Sequence, residues 1–258
     1  MAELRRENKQ MIKLVSMIYR FAFLTAAFIV SVPSVQAFDP AEQWAEAPVV
    51  VELFTSRGCS SCPPADKLLE ELAGKKNIIA LGCPVSYWDK PWHKTDLSRD
   101  FCDVRQHGYT KMLGKKSVFT PQMIVNGKIS FTGSHRDKLE LALKSAQTQA
   151  IKPIRLESLG GGVLRMMLPR LPNDGYLSYR LWGFGYQAHW TEDVSGGENS
   201  GRTIVYVNAA RSFHNLGSWM GKEKTITLRR PDENIDGLLI FAQANGYGPI
   251  VAAGRLAF

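Results

Sequence analysis

Residues 48–54 read PVVVELF, an apolar, β-branched run that predicts a buried strand. Residues 60–73 follow as a helix, with Leu68, Leu69 and Leu72 at helical spacing. Pro63 and Pro64 fall in its first turn, where a missing N–H costs little. Residues 77–85 read as a second buried strand. An aromatic-rich loop over 86–95 leads to a helix near 97–113, and Gly114 stops it. Residues 121–125 and 128–132 flank Asn126-Gly127, a dipeptide suited to the positive φ angles of a tight hairpin turn. Ser134 and Asp137 make a capping-box-like start for a last helix reaching Thr148.

The pattern changes at Lys152-Pro153. Short alternating stretches follow at 163–167, 176–181, 202–208, 224–228, 237–242 and 250–256. Glycine-rich turns at 160–162, 173–175 and 195–197, and Pro231-Asp232, separate them. This spacing predicts a small β-sandwich or barrel. The first half, in contrast, runs β-α-β-α-β-β-α, the connectivity of a minimal thioredoxin fold. The expected architecture is an α/β thioredoxin-like domain over 38–150, followed by a small all-β, sandwich-like domain over 151–258.

The first 37 residues stand apart from both. Scattered basic residues, including Lys13 and Arg20, precede an almost unbroken apolar run over 21–32, and small residues lead to Ala37. This is the layout of a secretory signal with cleavage after Ala37. The apolar run is short for a membrane span, so membrane contact is expected only in transit. Without this segment the chain keeps 27 basic against 22 acidic residues, a charge of +5 rather than +8. No Lys/Arg-rich run stands out, which argues against nucleic acid as a partner. Export places the four cysteines, Cys59, Cys62, Cys83 and Cys102, in an oxidising compartment, periplasmic or extracellular. Cys83 and Cys102 are expected to form a structural disulfide.

The chemistry concentrates at Gly58-Cys59-Ser60-Ser61-Cys62-Pro63, between the first strand and the first helix. A thiol at a helix N-terminus faces unpaired N–H groups and the positive end of the dipole, which favour thiolate. Two intervening residues allow both sulfurs to reach bonding distance. Cys59 is then the outer nucleophile and Cys62 the inner resolving thiol, with Arg57 a further source of positive charge. A structural bridge and half of a zinc site stay open as readings of the same pair.

The stretches VVVELFTSRGCSSCPPADKLLEELA, SYWDKPWHK and VFTPQMIVNGK resemble a bacterial family of exported thioredoxin-like proteins, catalogued as domain of unknown function 1223. Weaker resemblance extends to ARSFHNLGSWMG and LLIFAQANGYGPIVAAGRL. The resemblance implies the fold and the exported location and supplies no substrate. It implies that Pro121 follows a cis bond and faces the thiols, with Thr120 offering a backbone edge to an extended substrate. Gly58 stands where thioredoxins proper carry tryptophan, and Ser60-Ser61 replaces Gly-Pro, which leaves the redox poise open.

Glu52 is the candidate proton acceptor for the inner thiol, one residue off the thioredoxin spacing; an ion-paired Glu52 is the other reading. Tyr87, Trp88, Asp89, Trp92 and His93 crowd one loop and could form a lip for a peptide, with Tyr87 and Trp88 as substrate-binding candidates. His107, His135, His189 and His214 show no ligand-like spacing, and no resident metal or cofactor is expected. These features point to an exported thiol–disulfide oxidoreductase acting on protein thiols and disulfides of the cell envelope. The alternatives are a copper-binding module using Cys59 and Cys62, with His93 a further candidate ligand, and a non-catalytic envelope interaction protein.

Overall fold

Strand β1 (Val49–Thr55) is buried along its whole length, so both of its faces carry core residues. Its parallel neighbour β2 (Ile78–Pro84) is buried as completely. The register runs from Val49 opposite Ile78 to Thr55 opposite Pro84. Parallel pairing needs a crossover, and helix α1 (Pro63–Ala73) supplies it, with proline at its first positions. Helix α2 (Asp100–Met112), strands β3 (Gln122–Val125) and β4 (Ile129–Thr132), and helix α3 (Arg136–Gln147) complete the first half. The computed structural model describes residues 47–89, 95–149, 151–231 and 234–258. The expected signal segment, Trp92 and His93 therefore lie outside the described residues.

Local signals in this half act largely as read. Asn126 and Gly127 take φ of 47° and 67°, closing the β3–β4 hairpin. Gly114, at φ 61°, lets the chain leave α2, and the Lys115 N–H caps the Thr110 carbonyl at 2.9 Å. The capping box differs. Helix α3 begins at Arg136, so His135 is the N-cap and makes no side-chain cap bond. Ser134 falls outside the position from which a hydroxyl reaches the helix N–H groups.

The second half contains β5 (Lys152–Pro153), β6 (Arg155–Gly160), β7 (Val163–Leu168), β8 (Tyr179–Asp193), β9 (Thr203–Trp219), β10 (Lys224–Arg229), β11 (Gly237–Ala244) and β12 (Ile250–Ala257). These strands do not form a sandwich of their own. Five of them continue the first sheet, in the order β4-β3-β1-β2-β9-β8-β11-β12-β5. The join is parallel and brief, Gly82 opposite Ala209. A Cβ at Gly82 would lie 3.0 Å from the Val207 carbonyl oxygen, so glycine permits this approach. Beside it Asn208, at φ 45°, donates its amide to the Ala80 carbonyl at 3.1 Å. The sandwich-like layering survives locally, because a separate sheet, β10-β7-β6, packs on the far part.

Strands β8 and β9 run far beyond the stretches read from sequence, at 15 and 17 residues. Their outer ends pair up to Asp193 opposite Thr203 but are partly exposed, so the apolar alternation fades there. On one face of the sheet, Val49, Val51 and Leu53 lie under Leu69 and Leu72 of α1 and Leu139 of α3. On the other, Val50 and Phe54 pack with Tyr109, Phe184 and Phe241, which come from both halves. A third core, with Met166, Leu181 and Ile240, lies under the small sheet. Cys83 and Cys102 are bonded, with Cα atoms 5.4 Å apart. The bond ties the end of β2 to the first turn of α2.

Candidate functional site

The end of β1 delivers the chain into a tight loop that becomes α1. Ser56 shapes its start. Its hydroxyl accepts the Gly58 N–H at 3.1 Å, and its carbonyl accepts the Cys59 N–H at 3.2 Å. The Cys59 carbonyl in turn accepts the Cys62 N–H at 3.1 Å, and Cys62 is the N-cap residue of α1. Both thiols are reduced, Cys62 fully buried and Cys59 3% exposed.

The two thiols differ sharply. The Cys59 thiol is lowered to about 5, chiefly by a hydrogen bond from Cys62, with further help from Ser61 and Thr120 against the opposing effect of burial. The Ser61 hydroxyl lies 3.3 Å from the Cys59 sulfur. Cys62 is pushed up by the same bond, by burial, and by the negative charges of Cys59 and Asp66. Cys59 is therefore the thiolate and Cys62 the proton-bearing partner.

The Thr120-Pro121 bond is cis. Thr120 connects the loop after β2 to the thiolate: it accepts the Trp88 indole N–H at 2.9 Å, and its side chain also bonds to Cys59. Trp88 lies against Gly58, where an added Cβ would stand 3.2 Å from the Trp88 Cβ. The indole thus covers the position at which the sequence lacks a tryptophan. Tyr87 donates to Gln106 at 3.1 Å, and burial raises its hydroxyl to about 12. Tyr87 and Trp88 are 40% and 36% exposed, enough to meet another molecule.

Glu52 is not part of this site. Alternation along β1 turns it to the face opposite α1. There Arg105 Nε and Tyr109 bond to its carboxylate, and Arg105 Nη2 donates to it at 3.0 Å. Its negative charge is matched, so it is a structural ion pair rather than a proton acceptor for Cys62. Arg57 is also engaged elsewhere, donating to Glu192 on β8 at 2.8 Å.

The acid beside Cys62 is Asp66, one helical turn further along α1. Its N–H donates to the Cys62 carbonyl at 3.1 Å. Asp66 is 5% exposed, and its Oδ2 has no hydrogen-bond partner among the described residues. Burial raises its carboxyl well above the ordinary range; the Thr55 side chain counters this in part, and the Cys59 charge adds to it. The i, i+4 spacing from Cys62 to Asp66 was visible in the sequence as a shared helix face. No such local signal marked Asn199. This buried residue, between β8 and β9, donates its side-chain amide to the carbonyls of Arg57 and Cys59 at 2.8 and 2.9 Å. Its neighbour Glu198 accepts the Ser60 N–H at 3.1 Å.

No group of three or more metal-ligating side chains occurs among the described residues. The copper reading rests on Cys59 and Cys62; His93, its further candidate ligand, lies outside the described residues.

A crystal structure of protein AGR_C_4864 from Agrobacterium tumefaciens is similar over 82% of this chain and 95% of that one, with 26% identity and a TM-score of 0.70. HBP35 of Porphyromonas gingivalis is similar in fold, with 13% identity and a TM-score of 0.56 over 83% of this chain and 76% of that one. No curated protein matches. The family model for proteins of unknown function DUF1223 matches residues 50–243. The same span holds the thiol loop, Asp66, the cis bond at Pro121 and Asn199, and with it matched the chain belongs to the DUF1223 family.

Proposed function

We propose that the protein is an exported thiol–disulfide oxidoreductase with a thioredoxin-like first half. The observation that carries this reading is the asymmetry of the pair: a stabilised thiolate at Cys59, and a protonated Cys62 beside the buried carboxyl of Asp66, whose Oδ2 has no hydrogen-bond partner among the described residues.

The Cys59 thiolate attacks one sulfur of a partner protein's disulfide. A Cys59–partner bond forms, the partner's S–S bond breaks, and the other partner sulfur leaves as thiolate. Asp66, as carboxylate, takes the proton of Cys62. The Cys62 thiolate then attacks the Cys59 sulfur, and the second partner sulfur leaves and takes the proton from Asp66. Two electrons pass to the partner, and Cys59 and Cys62 end as a disulfide. A dithiol protein returns the pair to the reduced form by the same steps reversed.

Tyr87, Trp88, Thr120 and Pro121 form the lip against which the partner's extended chain lies. Insulin reduction by a dithiol-recycled wild type, lost in Cys59→Ser, tests the reading. Undiminished activity in Cys59→Ser overturns it. A Cys62→Ala variant should accumulate mixed disulfides with envelope proteins.

A further inference from the structure

The loop that holds the thiols is gripped by a segment roughly 140 residues away in sequence. Strands β8 and β9 form a long hairpin, and its connecting turn reaches the start of α1. Three contacts join them. Glu192, near the end of β8, pairs with Arg57 at 2.8 Å. Glu198 Oε2 accepts the Ser60 N–H at 3.1 Å. Asn199, fully buried, uses both side-chain N–H groups on the carbonyls of Arg57 and Cys59.

The amide is itself held from behind. Arg202 Nη1 donates to Asn199 Oδ1 at 3.2 Å, and the Arg202 N–H donates to the Asn199 carbonyl at 3.1 Å. A buried polar side chain with this set of partners has one orientation.

We propose that Asn199 is a positioning residue of the thiol site, fixing the Arg57–Cys62 loop so that Cys59 is presented as the attacking sulfur. The physical reason lies in the two carbonyls. A carbonyl oxygen beside an anionic sulfur repels it, and a donor bonded to that oxygen reduces the repulsion. The Cys59 carbonyl receives two donors, the Cys62 N–H and the Asn199 amide. Without the amide, the Arg57 carbonyl loses this donor and the Cys59 carbonyl keeps the Cys62 N–H alone, so the loop is held less tightly and the hydroxyls aimed at the sulfur lose their alignment. The second half of the chain is then a component of the thiol site rather than an accessory to it.

This inference rests on the exchange chemistry proposed above, but its test reads the thiol itself. In reduced full-length protein, the rate of iodoacetamide labelling of Cys59 is followed against pH by mass spectrometry of its peptide. Asn199→Ala should move the labelling midpoint upward by about one pH unit or more, slowing labelling at pH 5 about fivefold. Asn199→Asp should move it further, because it sets a carboxylate against the carbonyls. A folded Asn199→Ala protein with the wild-type midpoint overturns the proposal, whatever its melting temperature. If neither Asn199 variant folds, Arg202→Met decides at an exposed position. A midpoint raised by about half a unit supports the proposal, and an unchanged one overturns it. A wild type inert toward insulin would remove the oxidoreductase reading and leave this comparison intact.

Discussion

Glu52 and Asp66 are both buried carboxyl groups, one on each side of β1, and they are treated in opposite ways. Glu52 receives two bonds from Arg105 and one from Tyr109. Gln243 of β11 completes that network, accepting from Arg105 at 3.2 Å and donating to Tyr109 at 3.0 Å. The Arg105 guanidinium also lies 4.9 Å from the Phe184 ring centre. Asp66 has the Thr55 side chain near it and an oxygen with no partner among the described residues. A charge that is fully matched on burial holds structure together; a carboxyl left unmatched is free to change its protonation state. The Glu52 side ties the two halves of the chain, and the Asp66 side carries the thiols.

The contrast can be broken most forcefully at Glu52. Glu52→Ala strands the Arg105 charge in the core and should lower unfolding stability by about 3–5 kcal/mol in a urea titration. The labelling midpoint of Cys59 in the folded fraction should stay in place. A shifted midpoint would show that Glu52 and the thiols are coupled after all.

The next effect belongs to the Cys83–Cys102 bond, which closes a loop of 19 residues in sequence separation. Replacing both with alanine should remove about 3 kcal/mol. The loss should fall on stability, because the alternation of β2 places Cys83 with Leu81 and Ile79 on the Glu52 side.

Asp66→Asn should do the reverse. Resolution of a trapped mixed disulfide should slow about 100-fold, as expected when a proton acceptor is removed. Unfolding stability at pH 7 should hold or rise. The sign follows from its raised carboxyl. Asp66 contributes stability below the ordinary carboxylate range and loses that contribution as pH rises through its own elevated value. Asp66→Asn should flatten that decline.

The last effect is on the pH dependence of the reduced form. Cys59 is lowered from 9.0 to about 5. Its contribution is therefore present above pH 9 and lost as pH falls toward 5. The stability of wild type relative to Cys59→Ser should rise across that interval, measured by thermal unfolding under reducing conditions. A flat difference would mean that Cys59 titrates as an ordinary thiol.

How much of this could be read in advance depends on the range of the interactions involved. Strands β1 and β2, the three helices and the Asn126-Gly127 turn rest on local periodicity and turn chemistry, and the sequence displays both. The pairing of Gly82 with Ala209 depends on backbone approach between distant segments, which no local pattern records. It is the reason the second half extends the sheet. At the site, the Cys59–Cys62 pair and the Thr120-Pro121 bond were legible from the motif and its resemblance. Glu52 attracted attention because it precedes the motif on a buried strand, and a single step of alternation sent it to the other face. Asp66 carried a readable i, i+4 relation to Cys62. Asn199 and Glu192 carried none, since their partners lie more than a hundred positions away.

That separation orders events in time. On the export proposed above the chain is threaded from its N-terminus, so all four cysteines reach the oxidising compartment before β8 and β9 do. Until Asn199 arrives, the loop around Cys59 lacks the amide that holds its carbonyls. On the role proposed for Asn199, the pair at that stage lacks one of the contacts that present Cys59. Pairing of Cys83 with Cys102 can then precede the contacts that the proposal assigns to Asn199.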